Sequence, residues 1–268
     1  MGILRDFFPV RGVFCIYFFS AIYAQDVPEP TSPLHNIHNL FRAAYDFNIN
    51  IFSKDTLKIV TAFTPVYLLS RLADRKIHAL FYCFDHHKNI RQFPEWCYHS
   101  CNHGLTAEIL ALAALSFNPW DDHLKVTAQV FAISLPFTWV GKNFLKLFKT
   151  EAFLRPCNEH FDWRKKSYGG CPSGHMMEAV YAATLFGLQL GPWWGFPLGA
   201  LATAFFINFT VGNRHFVSQM VAGAGLGVIY AAAASKVVDS FSAYYNKDIS
   251  CTMYNDNSSS GFRMSMNF

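Results

Sequence analysis

The chain has 268 residues, of which 52% are hydrophobic and 17% aromatic, enough for one sizeable core and too short to call for two domains. Charged residues make up 15%, well below the roughly one quarter usual in soluble domains, and 28 phenylalanines are spread along apolar stretches with no repeat, a composition that leans towards a membrane protein. The net charge of +4 comes without an arginine-rich run or an aromatic ladder, which argues against nucleic acid as a partner and fits an anionic substrate or an anionic lipid surface.

In chain order, Arg5 and Arg11 precede the apolar run Val13 to Tyr23, and Ala24 is followed by the polar, proline-rich Gln25-Asp26-Val27-Pro28-Glu29-Pro30. Residues 1–24 read as a secretory signal, with an uncleaved anchor as the alternative because Ile22 is bulky for a cleavage site. Residues 25–55 are polar, with Leu34, Ile37, Leu40, Phe41 and Tyr45 at helical spacing, which predicts an amphipathic helix docked at a membrane interface. From 56 to 240 there follow six apolar segments, Thr56 to Leu72, Gly104 to Phe117, Leu124 to Gly141, Met176 to Leu190, Trp193 to Val211 and Val217 to Ala234. Each is close to or shorter than the ~20 residues of a spanning helix. The expected fold is all-α, a six-helix, antiparallel, transmembrane bundle.

The Trp193-Trp194 pair and the small-residue spacings Gly195/Gly199 and Gly223/Gly227 favour helices packed in lipid. Glu108 and Glu178, together with a mean hydropathy of +0.16, demand a polar interior or the alternative of a soluble bundle. Residues 241–268 form a polar C-terminal segment, expected to be a disordered tail.

Three stretches carry the chemistry. Cys171-Pro172-Ser173-Gly174-His175 stands directly before an apolar helix, so a hydroxyl, an imidazole and helix N-terminal amides are expected at one place, an anion site with a proton source. Gly212-Asn213-Arg214-His215 puts a second histidine where a loop enters a helix, with Gly212 expected to make the tight turn. Lys142, Lys146 and Lys149 lead to Arg155-Pro156, cations of the kind that clamp phosphate oxygens. An antiparallel bundle brings all three stretches to one face, and two histidines among cations suit an in-line phosphoryl transfer.

These residues resemble the type 2 phosphatidic acid phosphatase family, whose pattern is Lys, six residues, Arg-Pro; then Pro-Ser-Gly-His; then Ser-Arg, five residues, His, three residues, Asp. The resemblance runs from about Lys142 to Gly227. It implies a metal-independent phosphatase without cofactor, in which His215 forms a phosphohistidine, His175 protonates the departing alcohol, and Lys149, Arg155, Ser173 and Gly174 hold the phosphate. The implied partners are a lipid phosphate or other small organic phosphate as substrate and the membrane lipids around it. Three positions depart from the pattern. Neither Lys149 nor Lys146 has the family's spacing to Arg155, so the clamp lysine is one of these two. Phe209 stands where the family has Arg, with Arg214 as the candidate substitute, and Gln219 stands where it has the Asp that orients the nucleophile. A Gln carbonyl still accepts the Nδ1–H bond but stabilises an imidazolium less than a carboxylate, which predicts a slower enzyme. A phosphotransferase on the same scaffold and a catalytically silent membrane binding protein are the competing functions.

The remaining features have plainer readings. Cys97, His99, Cys101 and His103 alternate without a standard zinc spacing. His160 and His103 are weaker catalytic candidates than His175 and His215, the basic run Arg164-Lys165-Lys166 reads as a solvated or headgroup-facing loop, and Cys157 with Cys171 could form a disulfide between the phosphate loops. The positive-inside rule puts the basic loops in the cytoplasm, whereas the resemblance and the cysteines imply an extracytoplasmic site at a bacterial inner membrane; the expectation adopted is the latter.

Overall fold

The computed structural model describes residues 37–83, 88–89, 95–148, 153–156, 169–256 and 259–266. The signal or anchor over 1–24, Lys149, Cys157, His160 and Arg164-Lys165-Lys166 lie outside the described residues, as do the side chains of Cys97 and His99.

The described core is helical. In chain order the helices are α1 (Ile37–Ile51), α2 (Lys54–Ala79), α3 (Glu95–Ala114, continued by a 3-10 turn Leu115–Phe117), α4 (Asp122–Leu145), α5 (Gly174–Leu190), α6 (Pro192–Val211) and α7 (Val217–Asp248). The six expected helices are all present, and α2, α3 and α7 are longer than their apolar runs. The extra turns of α2 are polar on the sequence, whereas those of α7 continue the core through Val237, Val238 and Phe241. The seventh, α1, is more than an interfacial strap: Ala43 and Phe47 are buried in the main core while Phe41, Tyr45 and Ile49, four residues apart, form an exposed apolar stripe.

Two short antiparallel pairs complete the described chain, β1 (Tyr82–Cys83) with β2 (Lys88–Asn89), and β3 (Ile249–Asp256) with β4 (Ser259–Met266). The latter hairpin takes the place of the tail expected after α7. The run Thr252-Met253-Tyr254 facing Phe262-Arg263-Met264 supplies bulky and aromatic residues of the kind enriched in strands, a signal hidden by the neighbouring Asn and Ser.

Glycines set how closely the central helices pack. A Cβ at Gly223 would lie 2.4 Å from the Ser173 carbonyl, and one at Gly227 would lie 2.6 Å from the Met177 carbonyl, so this pair lets α7 press directly on α5. Of the other expected pair, Gly195 meets Gly187 of α5, with its would-be Cβ 3.0 Å from the Gly187 Cα, whereas nothing lies within 4 Å of Gly199. Around these contacts Phe131, Tyr181, Phe186 and Tyr230 fill the core, with a Ser134–Tyr181 hydroxyl bond satisfying the buried phenol.

Among the described residues, two helices are long and apolar enough to cross a membrane, Pro192–Val211 and Val217–Ser242, with mean hydropathies of 1.4 and 1.6. Only 22% of the first is buried, and it exposes Trp193, Phe196, Leu201 and Ile207. A core helix of a soluble protein would hide these residues; a helix against lipid shows them.

Candidate functional site

The chain direction alternates from helix to helix, so the C-terminal ends of α2, α4 and α6 and the N-terminal ends of α3, α5 and α7 meet at one end of the bundle. The expected residues are brought together there.

Ser173 is the N-cap of α5; its Oγ accepts from the Met176 N–H at 3.5 Å and its own N–H donates to the Gln219 carbonyl at 3.0 Å. The Ser173 amide is thus used inside the protein. The amides of Gly174 and His175, which have no partner within the helix, face the space before it. Gly174 also makes room for a cation, since a Cβ there would sit 3.0 Å from Lys142 Nζ. Lys142 itself is buried and ion-paired with the buried Glu178, so the intrahelical acid that seemed to argue against the fold is neutralised in place.

The second histidine sits in an irregular turn. The amides of Arg214 and His215 both fold back on the Phe209 carbonyl, at 2.9 and 3.2 Å. Gly212 has an ordinary φ of −72°; the left-handed residue is Asn213, with φ 57°. The expected tight turn is therefore made one residue later, by an Asn, the side chain that tolerates this conformation best after Gly.

His215 is 3% exposed, and its Nδ1 lies 2.9 Å from the Gly170 carbonyl and 3.3 Å from Gln219 Oε1. Both partners are acceptors, because Gln219 Nε2 donates to the Leu154 carbonyl at 2.7 Å and thereby fixes which end of the amide faces the imidazole. The ring proton therefore resides on Nδ1, leaving the Nε2 lone pair for attack. Sequence reasoning assigned this orienting bond to Gln219 alone. The shorter one comes from a backbone carbonyl, for which a sequence motif carries no signal.

Gln219 braces the site in a further way. It ties the loop before Arg155 to the nucleophile turn, and the Gly170 amide donates to the Phe153 carbonyl at 2.9 Å. Gly170 must be glycine for this docking, since a Cβ would lie 2.7 Å from both Phe153 O and Gln219 Nε2. Arg155 Nη2 reaches Gly169 O at 3.4 Å.

The charges of Arg155 and Lys146 act on both imidazoles. Burial foremost, then Arg155, His175 and Lys146, hold His215 well below its ordinary pKa, with the Gln219 bond opposing. Burial foremost, then Lys142, Arg155 and Lys146 against the Glu178 carboxylate, push His175 down to about 4. Lys146 in turn is lowered to about 8 by burial and by Arg155 and Lys142. Of the two candidate clamp lysines, Lys146 thus belongs to this cationic group, while Lys149 lies outside the described residues. Arg214 is half-buried in the turn beside His215.

Phe209, at the family's arginine position, is fully buried and links the two histidines: its ring stacks on His175 at 4.8 Å and meets His215 edge-on at 6.2 Å. His175 Nε2 is 2.8 Å from Asn102 Oδ1 on α3. Asn102 was hidden in the Cys97-to-His103 alternation. Cys171 is a free, buried thiol whose pKa burial raises to about 11, not one half of a disulfide.

Comparison with known proteins fits this geometry. Residues 131–242 match the model of the PAP2 superfamily, a segment running from α4 into α7 that contains every one of the motif residues. The resemblance carried by the motifs is borne out over that segment. Among solved structures, the chain is similar to the first transmembrane PAP2 type phosphatidylglycerolphosphate phosphatase from Bacillus subtilis, at 15% identity over 78% of this chain and 98% of that one, with a TM-score of 0.37. No curated protein matches.

Proposed function

We propose that this protein is a membrane phosphatase that cleaves a lipid phosphate through a phosphohistidine at His215. The observation that carries the reading is the bond from His215 Nδ1–H to the Gly170 carbonyl at 2.9 Å, which presents an unprotonated Nε2 beside Arg155 and Lys146. A phosphate monoester bound there has its oxygens against the guanidinium, the ammonium groups and the Gly174 and His175 amides, where developing charge is stabilised without reorganisation. Nε2 attacks phosphorus, and His175 delivers a proton to the departing oxygen on the opposite side.

His175 must carry that proton when substrate is bound, although its site disfavours charge in the empty protein. A phosphate dianion supplies the missing negative charge, so substrate binding itself raises the pKa of the acid. Water activated by the now neutral His175 then opens the phosphohistidine.

A lipid substrate is supported by α6, an apolar helix with its broad face unburied next to the site it helps build. We assign the site to the extracytoplasmic side of the membrane; a reporter fused after His160 and active only in the cytoplasm would reverse this assignment.

The test is phosphate release by the full chain in detergent, with chelator present, across lipid and sugar phosphates, with His215→Ala as control. Release from a lipid phosphate that survives chelation and vanishes in the variant is the expected result. Release that persists in His215→Ala overturns the mechanism, and the substrate panel decides the lipid assignment.

A further inference from the structure

The machinery above comes from α3 to α7, yet the turn that carries His215 is pinned from α2. Arg71, Asp74 and His78 recur on one face of that helix. Asp74 is 3% exposed and its Oδ1 accepts from the Ser218 N–H at 3.0 Å, while its Oδ2 accepts from the Ser218 hydroxyl and lies 3.3 Å from Arg71 Nη1. This carboxylate therefore caps the first turn of α7, three residues after the nucleophile, where a negative charge also complements the helix dipole. One turn further along α2, His78 Nε2 pairs with Asn213 Oδ1, and the His78 ring packs edge-on against Phe216 at 5.3 Å. Partners at 213, 216 and 218 bracket His215 on both sides.

We infer that Asp74 and His78 are positioning residues for the nucleophile, holding the 213–218 turn so that His215 Nδ1 stays on the Gly170 carbonyl and Nε2 stays aimed at the phosphate; the inference rests on the phosphatase reading for its kinetic consequence but not for its geometry. The decisive residue is Asn213. It is 3% exposed at φ 57°, a conformation that Asn tolerates better than most residues but less freely than glycine. His78 helps to hold it there by satisfying the buried amide oxygen. Glycine adopts the same backbone without help. If His78 acts through the shape of this turn, a glycine at 213 makes it dispensable, an effect that a general role in folding would not produce.

The experiment compares wild type, His78→Ala, Asn213→Gly and the double variant as full chains in detergent, with two readouts. The first is kcat and KM on the best substrate. The second is the rate at which diethyl pyrocarbonate modifies His215, followed by mass spectrometry of its peptide. In the wild-type background His78→Ala is expected to lower kcat by at least about tenfold at little changed KM, as misplacement of a reacting group does, and to speed modification of His215 several-fold. In the glycine background both effects should shrink to within about twofold. Equal losses in both backgrounds, or no change in either readout, overturn the inference. Should His78→Ala fail to fold, His78→Phe, which keeps the ring against Phe216 but removes the donor to Asn213, is read the same way in both backgrounds. If the wild type releases no phosphate from any substrate, the phosphatase reading falls, and the modification rates alone decide whether these residues position His215.

Discussion

Gln219→Ala separates two duties that the family pattern places on one residue. The side chain is 1% exposed and makes three contacts: Nε2 to Leu154 O at 2.7 Å, and Oε1 from the Phe216 N–H at 3.2 Å and from His215 Nδ1 at 3.3 Å. Truncation leaves the Leu154 carbonyl and the Phe216 amide, both part-buried, without these partners. At about 1–3 kcal/mol for each such group, and towards the low end because neither is fully enclosed, the loss of stability is about 2–3 kcal/mol. His215 fares better, since the Gly170 carbonyl at 2.9 Å keeps the proton on Nδ1. It loses only the longer of two bonds, about 1 kcal/mol or about fivefold in kcat. Denaturant unfolding in detergent and steady-state kinetics on the same preparation measure both. A fall in kcat on the order of ten-thousandfold at unchanged stability, the pattern of a lost tautomer, would refute the assignment of the orienting role to Gly170.

Three further outcomes are expected. His175→Ala should lose about 10²–10⁴-fold in kcat/KM, which reports the phosphoryl-transfer step and not the later opening by water, on alkyl phosphates and far less on an aryl phosphate, whose phenolate leaves without a proton; equal losses in kcat/KM on the two would show that His175 is not the acid. Lys146 is depressed to about 8, so kcat/KM should fall as pH rises through that value and the cation is lost, and Lys146→Arg should move the fall to higher pH. Stability should move the other way over the same range, rising between about 8 and the unfolded value of 10.5, because there the unfolded chain binds more protons than the folded one. Gly223→Ala, with a new Cβ 2.4 Å from the Ser173 carbonyl, should cost about 1–3 kcal/mol and disturb the phosphate loop, whereas Gly199→Ala meets nothing within 4 Å and should be neutral or stabilising by up to about 1 kcal/mol. Thermal unfolding of the two variants side by side checks the contrast.

How far these features are legible in the sequence follows from the kind of interaction behind each. The helices of the bundle are written in apolar runs, and the two histidines, Arg155 and the phosphate loop in short motifs whose spacing reflects local backbone geometry. The Gly223/Gly227 spacing also foretells the contact with α5, because close helix approach leaves no space for larger side chains. Contacts between segments far apart in the chain are not written locally. Asp74 and His78 sit in the charged end of α2, next to Arg75 and Lys76, and look like a solvated helix terminus until the turn at 213–218 is folded against them. The Gly170 carbonyl is a backbone atom, which any residue would supply, so only the glycine needed for close docking leaves a trace. Asn102 lies among cysteines and histidines that draw attention away from it. Phe209 shows the converse: the sequence marks a missing guanidinium, while the structure shows what the ring does instead, covering the face of His175.

The most direct test of the two-histidine account is to trap the covalent intermediate. The protein is mixed for milliseconds with a phosphate-labelled aryl ester, quenched in alkali and digested, and the labelled peptide is sequenced by mass spectrometry. The account predicts alkali-stable, acid-labile label on His215, still formed in His175→Ala because the aryl leaving group needs no acid, and absent in His215→Ala. Label on any other residue, or full turnover with none on His215, would contradict it.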